Sequence, residues 1–140
     1  MTPHQVNLIK SSFAKIYFTR DESAKIFYDR LFAIAPRLRP LFKENMDAQR
    51  QKLMDTLAIV VTVASHPERL ELLLEDTARH HIQYGATPQD YAQVGNALLW
   101  MMEKQLGADF SPGVKAAWTE LYQDIATTMQ RIANQNPAKS

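Results

Sequence analysis

Residues 59–63 read Ile-Val-Val-Thr-Val, five β-branched side chains in a row, and on local propensity alone they belong in a strand. The wider pattern says otherwise: Leu53, Leu57, Val60 and Ala64 continue one helical face through the stretch, and no turn residues bracket it. With that segment helical, nothing else argues for a sheet. Four glycines and seven prolines give few hairpin signals, and apolar residues recur at helical spacing almost throughout. Three helix starts are explicit. Thr2-Pro3, Thr87-Pro88 and Ser111-Pro112 each set a capping hydroxyl before a proline suited to the first turn. Asp90 adds negative charge near the second start, and Gly107 marks a helix stop. The expected layout is all-α, with helices over 3–18, 22–35, 47–65, 67–84, 88–106 and 112–134. A short helical turn is expected near 37–42 and a polar, frayed tail over 134–140.

The composition narrows the function. At 140 residues and 46% hydrophobic, the chain suits one domain with a real core and leaves no room for a second catalytic one. The net charge of +1, with both signs interspersed, gives no broad basic face for nucleic acid. A local positive cluster, Arg37, Arg39, Lys43, Arg50 and Lys52, is expected to be solvated. The absence of cysteine excludes disulfides, thiolate ligands, a cysteine nucleophile and a Cys-x-x-Cys-His haem attachment. The N-terminus has no apolar signal core, and the longest nearly apolar stretch, 57–64, is too short to span a bilayer, so a cytoplasmic protein without membrane contact is expected.

Of the four histidines, His4, His66, His80 and His81, none are spaced i,i+3 or i,i+4, which removes the usual helical zinc chelate. Adjacent His80 and His81 point about 100° apart on a helix. With Leu70, Leu73, Leu74 and Thr77 as the inward stripe, His81 falls near its centre and His80 at its edge. A lone inward histidine is more often a satisfied core residue than a ligand. Two further polar groups sit on apolar faces, Tyr28 among Ala24, Phe27, Leu31 and Ile34, and Gln49 one turn before Leu53 and Leu57. Each alone fits a structural role. Trp100 and Trp118 read as packing residues.

The order and spacing of several segments resemble the globins, specifically the globin domain of bacterial flavohaemoglobins and their single-domain relatives. They are Ile26-Phe27-Tyr28-Asp29-Arg30-Leu31-Phe32, Ala35-Pro36-Arg37-Leu38-Arg39-Pro40-Leu41-Phe42, Gln49-Arg50-Gln51-Lys52-Leu53, His81-Ile82-Gln83-Tyr84-Gly85, Tyr91-Ala92-Gln93-Val94-Gly95 and Ala117-Trp118-Thr119-Glu120-Leu121-Tyr122. The resemblance implies one globin domain over 1–140, its helices packed 3-over-3 around non-covalent haem b (iron protoporphyrin IX). It makes His81 the iron ligand and Phe42 the phenylalanine against the haem plane. Tyr28, Gln49 and Leu53 become the ligand-side trio and Tyr91 the tyrosine on the histidine side. Leu57 and Val94 join the cofactor-binding residues, with Lys52, Arg79 and His80 as propionate partners.

The function so implied is reversible binding of oxygen, or of nitric oxide or carbon monoxide, at ferrous iron, with Tyr28 and Gln49 stabilising the ligand. The enzymatic alternative is a nitric oxide dioxygenase served by a separate reductase, since glycines only at 85, 95, 107 and 113 make no Gly-x-Gly-x-x-Gly motif. A haem-based sensor is disfavoured for want of an output domain, and a monomer or small homo-oligomer is expected. One departure stands out. The glutamate that flavohaemoglobins set against the histidine falls here on Ala133, and no acidic residue follows Asp124. The non-haem alternative is a helical interaction module in which His81, Tyr28 and Gln49 are all structural.

Overall fold

Hydroxyl caps set three of the helix starts. Thr2 Oγ1 accepts from Gln5 N at 3.1 Å, Thr87 Oγ1 from Asp90 N at 3.3 Å and Ser111 Oγ from Val114 N at 3.2 Å, each with proline next in sequence. The computed structural model describes residues 1–42, 45–83 and 87–135, without the side chains of 80–83. Lys43, Tyr84, Gly85 and the tail beyond 135 lie outside the described residues, as do the side chains of His80 and His81. The elements are α1 (Pro3–Phe18), α2 (Arg20–Ile34), a 3-10 segment (Pro36–Leu41), α3 (Met46–Val63), α4 (Pro67–Gln83), α5 (Pro88–Leu106), a 3-10 turn (Gly107–Asp109) and α6 (Pro112–Gln135). No strand occurs among the described residues.

The segment 59–63 is helical. Val60 and Val61 are buried, and Thr62 Oγ1 spends its proton on Ala58 O at 2.9 Å inside the helix. α2 starts two residues earlier than its sequence suggests, with Asp21 and Glu22 in the first turn supplying charge where Thr19 makes no side-chain cap. It ends at Ile34 because Pro36 disfavours helical backbone at Ala35, which sits at φ −139°. Pro40 has no N–H to give, and the turn expected near 37–42 is a 3-10 segment. Gly107 does end α5, at φ +53°.

α2 packs across α5 and α3, while α6 lies against α1, α4 and α5. Polar ties also hold these crossings. Trp118 Nε1 donates to Ser12 Oγ at 2.8 Å, joining α6 to α1. Gln105 Nε2 donates to Thr19 Oγ1 and Ser23 Oγ, both at 2.9 Å, joining the end of α5 to the α1–α2 corner. The buried residues fall into two clusters, bridged by half-buried Leu70, Tyr122 and Ile125. The larger runs through α1, α2, α3, α5 and the first half of α6; the smaller holds Leu74, Ala78, Tyr91, Ala126, Met129 and Ile132. No helix among the described residues is long and apolar enough to cross a membrane.

Within the positive cluster the three arginines are engaged. Arg37 binds Asp90, Arg50 binds Asp47, and Arg39 lies over the Phe32 ring at 5.3 Å while donating to Phe42 O at 2.9 Å. Lys52 is exposed.

At the start of α5 the cap is reciprocal, because Thr87 N also donates to Asp90 Oδ2 at 2.9 Å. Thr87→Ala is expected to lower the unfolding free energy by about 1 kcal/mol. Denaturant titration should show a lower midpoint at unchanged slope.

Candidate functional site

Between the two core clusters lies a cavity of about 150 Å³ with an almost wholly apolar wall. Leu53, Leu57 and Val60 of α3 form one side, and Leu74 and Thr77 of α4 another. Tyr91, Val94 and Leu98 of α5, and Leu121, Ile125 and Met129 of α6, close it, with Phe27 reaching in from α2. α3 serves two compartments at once: Leu53 and Leu57 line the hollow half-buried, while Met54 and Val61 are sunk in the main core. Walls this apolar are covered more favourably by an apolar group than by water. A chain that builds such a cavity gains by filling it with an apolar ligand.

Of the residues singled out from the sequence, Leu53, Leu57, Tyr91 and Val94 line this cavity together. Tyr28, Gln49, Phe42 and Lys52 are not in its wall. Tyr28 is buried one ring further out, edge-on to cavity-lining Phe27 at 4.9 Å between ring centres. Gln49 Nε2 donates to the Tyr28 hydroxyl at 3.0 Å, which joins α3 to α2. Phe42 packs edge-on against Tyr28 at 5.6 Å and against Phe32 at 5.4 Å. Tyr28, Gln49 and Phe42 therefore form one polar-cored aromatic cluster at the α2–α3 corner. Gln49 and Tyr28 act in series: the phenol oxygen accepts from Gln49 and keeps its own proton to give.

Sequence reasoning missed Asp90 and Tyr122. Asp90 lines the cavity and is buried, capping α5 while pairing with Arg37. Tyr122 also lines the cavity, and its hydroxyl donates to Tyr91 O at 2.6 Å. Its ring lies so close to α5 that a Cβ at Gly95 would stand 2.7 Å from Tyr122 Cε2, so only glycine admits the approach. Trp118 is buried as expected, whereas Trp100 is half-buried between Arg30 at 4.0 Å and Lys104 at 4.5 Å. Arg79 is exposed, 3.5 Å from Asp76.

Burial pushes the phenols of Tyr28, Tyr91 and Tyr122 up. The Gln49 bond pulls Tyr28 partly back; the Asp90 charge adds to the rise at Tyr91, and Tyr91 to that at Tyr122.

The Globin family profile matches residues 25–129, and the chain belongs to that family, which makes it a haem-binding globin. It is similar to Flavohemoprotein B of Dictyostelium discoideum, 26% identical over 127 residues, covering 90% of this chain and 30% of the relative. The Flavohemoprotein of Rhizobium meliloti (strain 1021) is 29% identical over 103 residues, covering 71% of this chain and 26% of the relative. The chain thus spans less than a third of the length of these two relatives. Neuroglobin of Tetraodon nigroviridis is 25% identical over 138 residues, covering 89% of this chain and 87% of the relative. In three dimensions the fold matches a bacterial globin from Campylobacter jejuni with a TM-score of 0.83 at 21% identity, covering 96% and 97% of the two chains. The cavity fits the family's cofactor in its chemistry, because a flat, largely apolar ring system wants an apolar slot between two packed layers.

The three buried phenols generate an alkaline signature. The unfolded chain ionises near ~10 while the fold retains its phenolic protons, so the unfolded state binds fewer protons above that pH. Stability then falls as pH rises, by at most about 1.4 kcal/mol per pH unit per phenol. Tyr122→Phe is expected to cost about 1 kcal/mol at neutral pH yet flatten this alkaline decline, both read from denaturation at several pH values.

Proposed function

We propose that the cavity holds haem b, that His81 is its protein ligand, and that the chain binds oxygen reversibly with the Tyr28–Gln49 pair as the stabilising group. Haem, when bound, supplies a ferrous iron with one position open to a diatomic ligand. The observation that carries the reading is the 3.0 Å bond from Gln49 Nε2 to the buried Tyr28 hydroxyl beside the cavity. A phenol that already accepts a hydrogen bond is the better donor, and in a low-dielectric corner its proton stabilises partial negative charge strongly. Burial outweighs the lowering by Gln49 and raises its pKa, which keeps that proton in place across the physiological range. Phe32 and Phe42 pack against the phenol ring, and Arg39 donates to Phe42 O behind them. The rest of the lining excludes water, which protects ferrous iron from oxidation.

Support for His81 comes from register. Leu74 and Thr77 line the cavity, and positions seven and four residues later on α4 coincide at 81. Lys52 and Arg79, both exposed, are the propionate partners in this proposal. A second reading, nitric oxide dioxygenase, is favoured by the two relatives named flavohemoprotein. Ala133, where their resemblance calls for a glutamate, argues for binding over turnover.

The purified protein is expected to show an intense Soret band that responds to reduction and to oxygen. Its absence after haem is supplied would sink the proposal. Tyr28→Phe should raise the oxygen dissociation rate by roughly tenfold, read by stopped flow; an unchanged rate removes the phenol from the mechanism. His81→Ala should weaken haem retention, and an unaltered spectrum would point to His80. Sustained nitrate formation from nitric oxide under continuous reduction would select the enzymatic reading over the carrier.

A further inference from the structure

Nothing in the backbone of α5 calls for glycine at position 95. The residue is buried inside the helix, and among the described residues positive φ belongs to Gly107 alone. Glycine is the poorest helix former after proline, so its place there needs a steric reason. That reason is the Tyr122 ring. A Cβ at position 95 would stand 2.7 Å from Cε2, 2.9 Å from Cδ2 and 3.5 Å from Cζ, and these three nearest atoms all belong to it. Tyr122 also borders the cavity, half-buried, and packs against both core clusters. Its hydroxyl donates to Tyr91 O at 2.6 Å, one helical turn before Gly95. The ring therefore lies along α5, fixed at its far end by the hydrogen bond and sunk at its edge into the space that the missing Cβ leaves. The depth to which it sinks is width added to the cavity.

We propose that Gly95 and Tyr122 are the size-determining pair of the cavity, recessing the ring so that the chamber takes a broad, flat apolar group; the inference rests on reading the cavity as the site of such a group. Alanine at position 95 moves the ring rather than the backbone, because the atoms it meets are the outer edge of a side chain, which turns more cheaply than a packed helix shifts. The ring then swings toward the unfilled volume it borders. Width is lost, and the loss falls on wide ligands first: a rare-gas atom still finds room where a planar ring does not. Overall stability is a poor measure of this effect, since alanine also favours the helix. Ligand size is the discriminating variable.

Size dependence is measured in two ways: by NMR titration of the haem-free full chain with xenon, benzene and naphthalene, and by the rate at which haem passes from the loaded protein to an excess of another haem-free globin. In Gly95→Ala, benzene binding is expected to weaken roughly tenfold and haem loss to quicken by about the same factor, with xenon affinity within about twofold of the parent. Adding Tyr122→Val, whose side chain ends at Cγ and lacks both clashing atoms, should restore benzene binding. Tyr122→Val alone covers the case in which the alanine variant does not fold, and naphthalene is expected to bind it roughly tenfold more tightly than the parent. Unchanged benzene affinity in Gly95→Ala, equal loss of xenon and benzene, a double variant no better than the single, or naphthalene binding unaffected by Tyr122→Val each overturns the inference. A chain that shows the expected hydrocarbon pattern but no Soret band sinks the haem reading and leaves the size-determining pair standing.

Discussion

The molecule is organised around a hole. Two clusters of buried side chains, joined by half-buried Leu70, Tyr122 and Ile125, flank an apolar hollow that a bound apolar group fills favourably. The helices are tied at their crossings by polar bonds, Trp118 of the cavity wall to Ser12 on one side and Gln105 to Thr19 and Ser23 on another. Where α5 and α6 come closest, Gly95 yields to the ring of Tyr122, and the hydroxyl of that ring ends on the backbone of Tyr91.

Polar chemistry at the hollow is sparse and directional. The Tyr28–Gln49 bond ties two helices at a corner rather than at the centre of the cavity. Its aromatic surround of Phe27, Phe32 and Phe42 gives the phenol a rigid setting with little water. A hydroxyl fed by one donor and fixed by three rings has few orientations left, which is the condition for a hydrogen-bond donor to be effective without reorganising.

Much of this is legible in the sequence. The helix starts at Thr2, Thr87 and Ser111 were written in hydroxyl-proline pairs, and the run 59–63 betrayed its helical state through Leu53, Leu57 and Val60. Those same residues face the cavity. The burial of Tyr28 followed from its neighbours on the second helix, and its likeness to the globins placed Gln49 beside it. Other contacts left no trace. Asp90 was fully accounted for by its cap on Thr87, so nothing about it called for Arg37, 53 residues earlier in the chain. Tyr122 ends on a main-chain carbonyl, and a carbonyl has no identity in a sequence. Phe42 was expected against the cofactor plane; its place beside Tyr28 depends on how the 3-10 segment turns after Pro40, which propensity does not fix.

The Arg37–Asp90 pair has a consequence for how this chain can change over time. One carboxylate both starts α5 and fastens that start to the segment following α2, while its side chain forms part of the cavity wall. Helix initiation, loop anchorage and the outline of the binding chamber are thereby merged in a single acid. A change at position 37 removes the partner of a wall residue, and a change at position 90 takes away the cap of α5 and the anchor of a distant loop together.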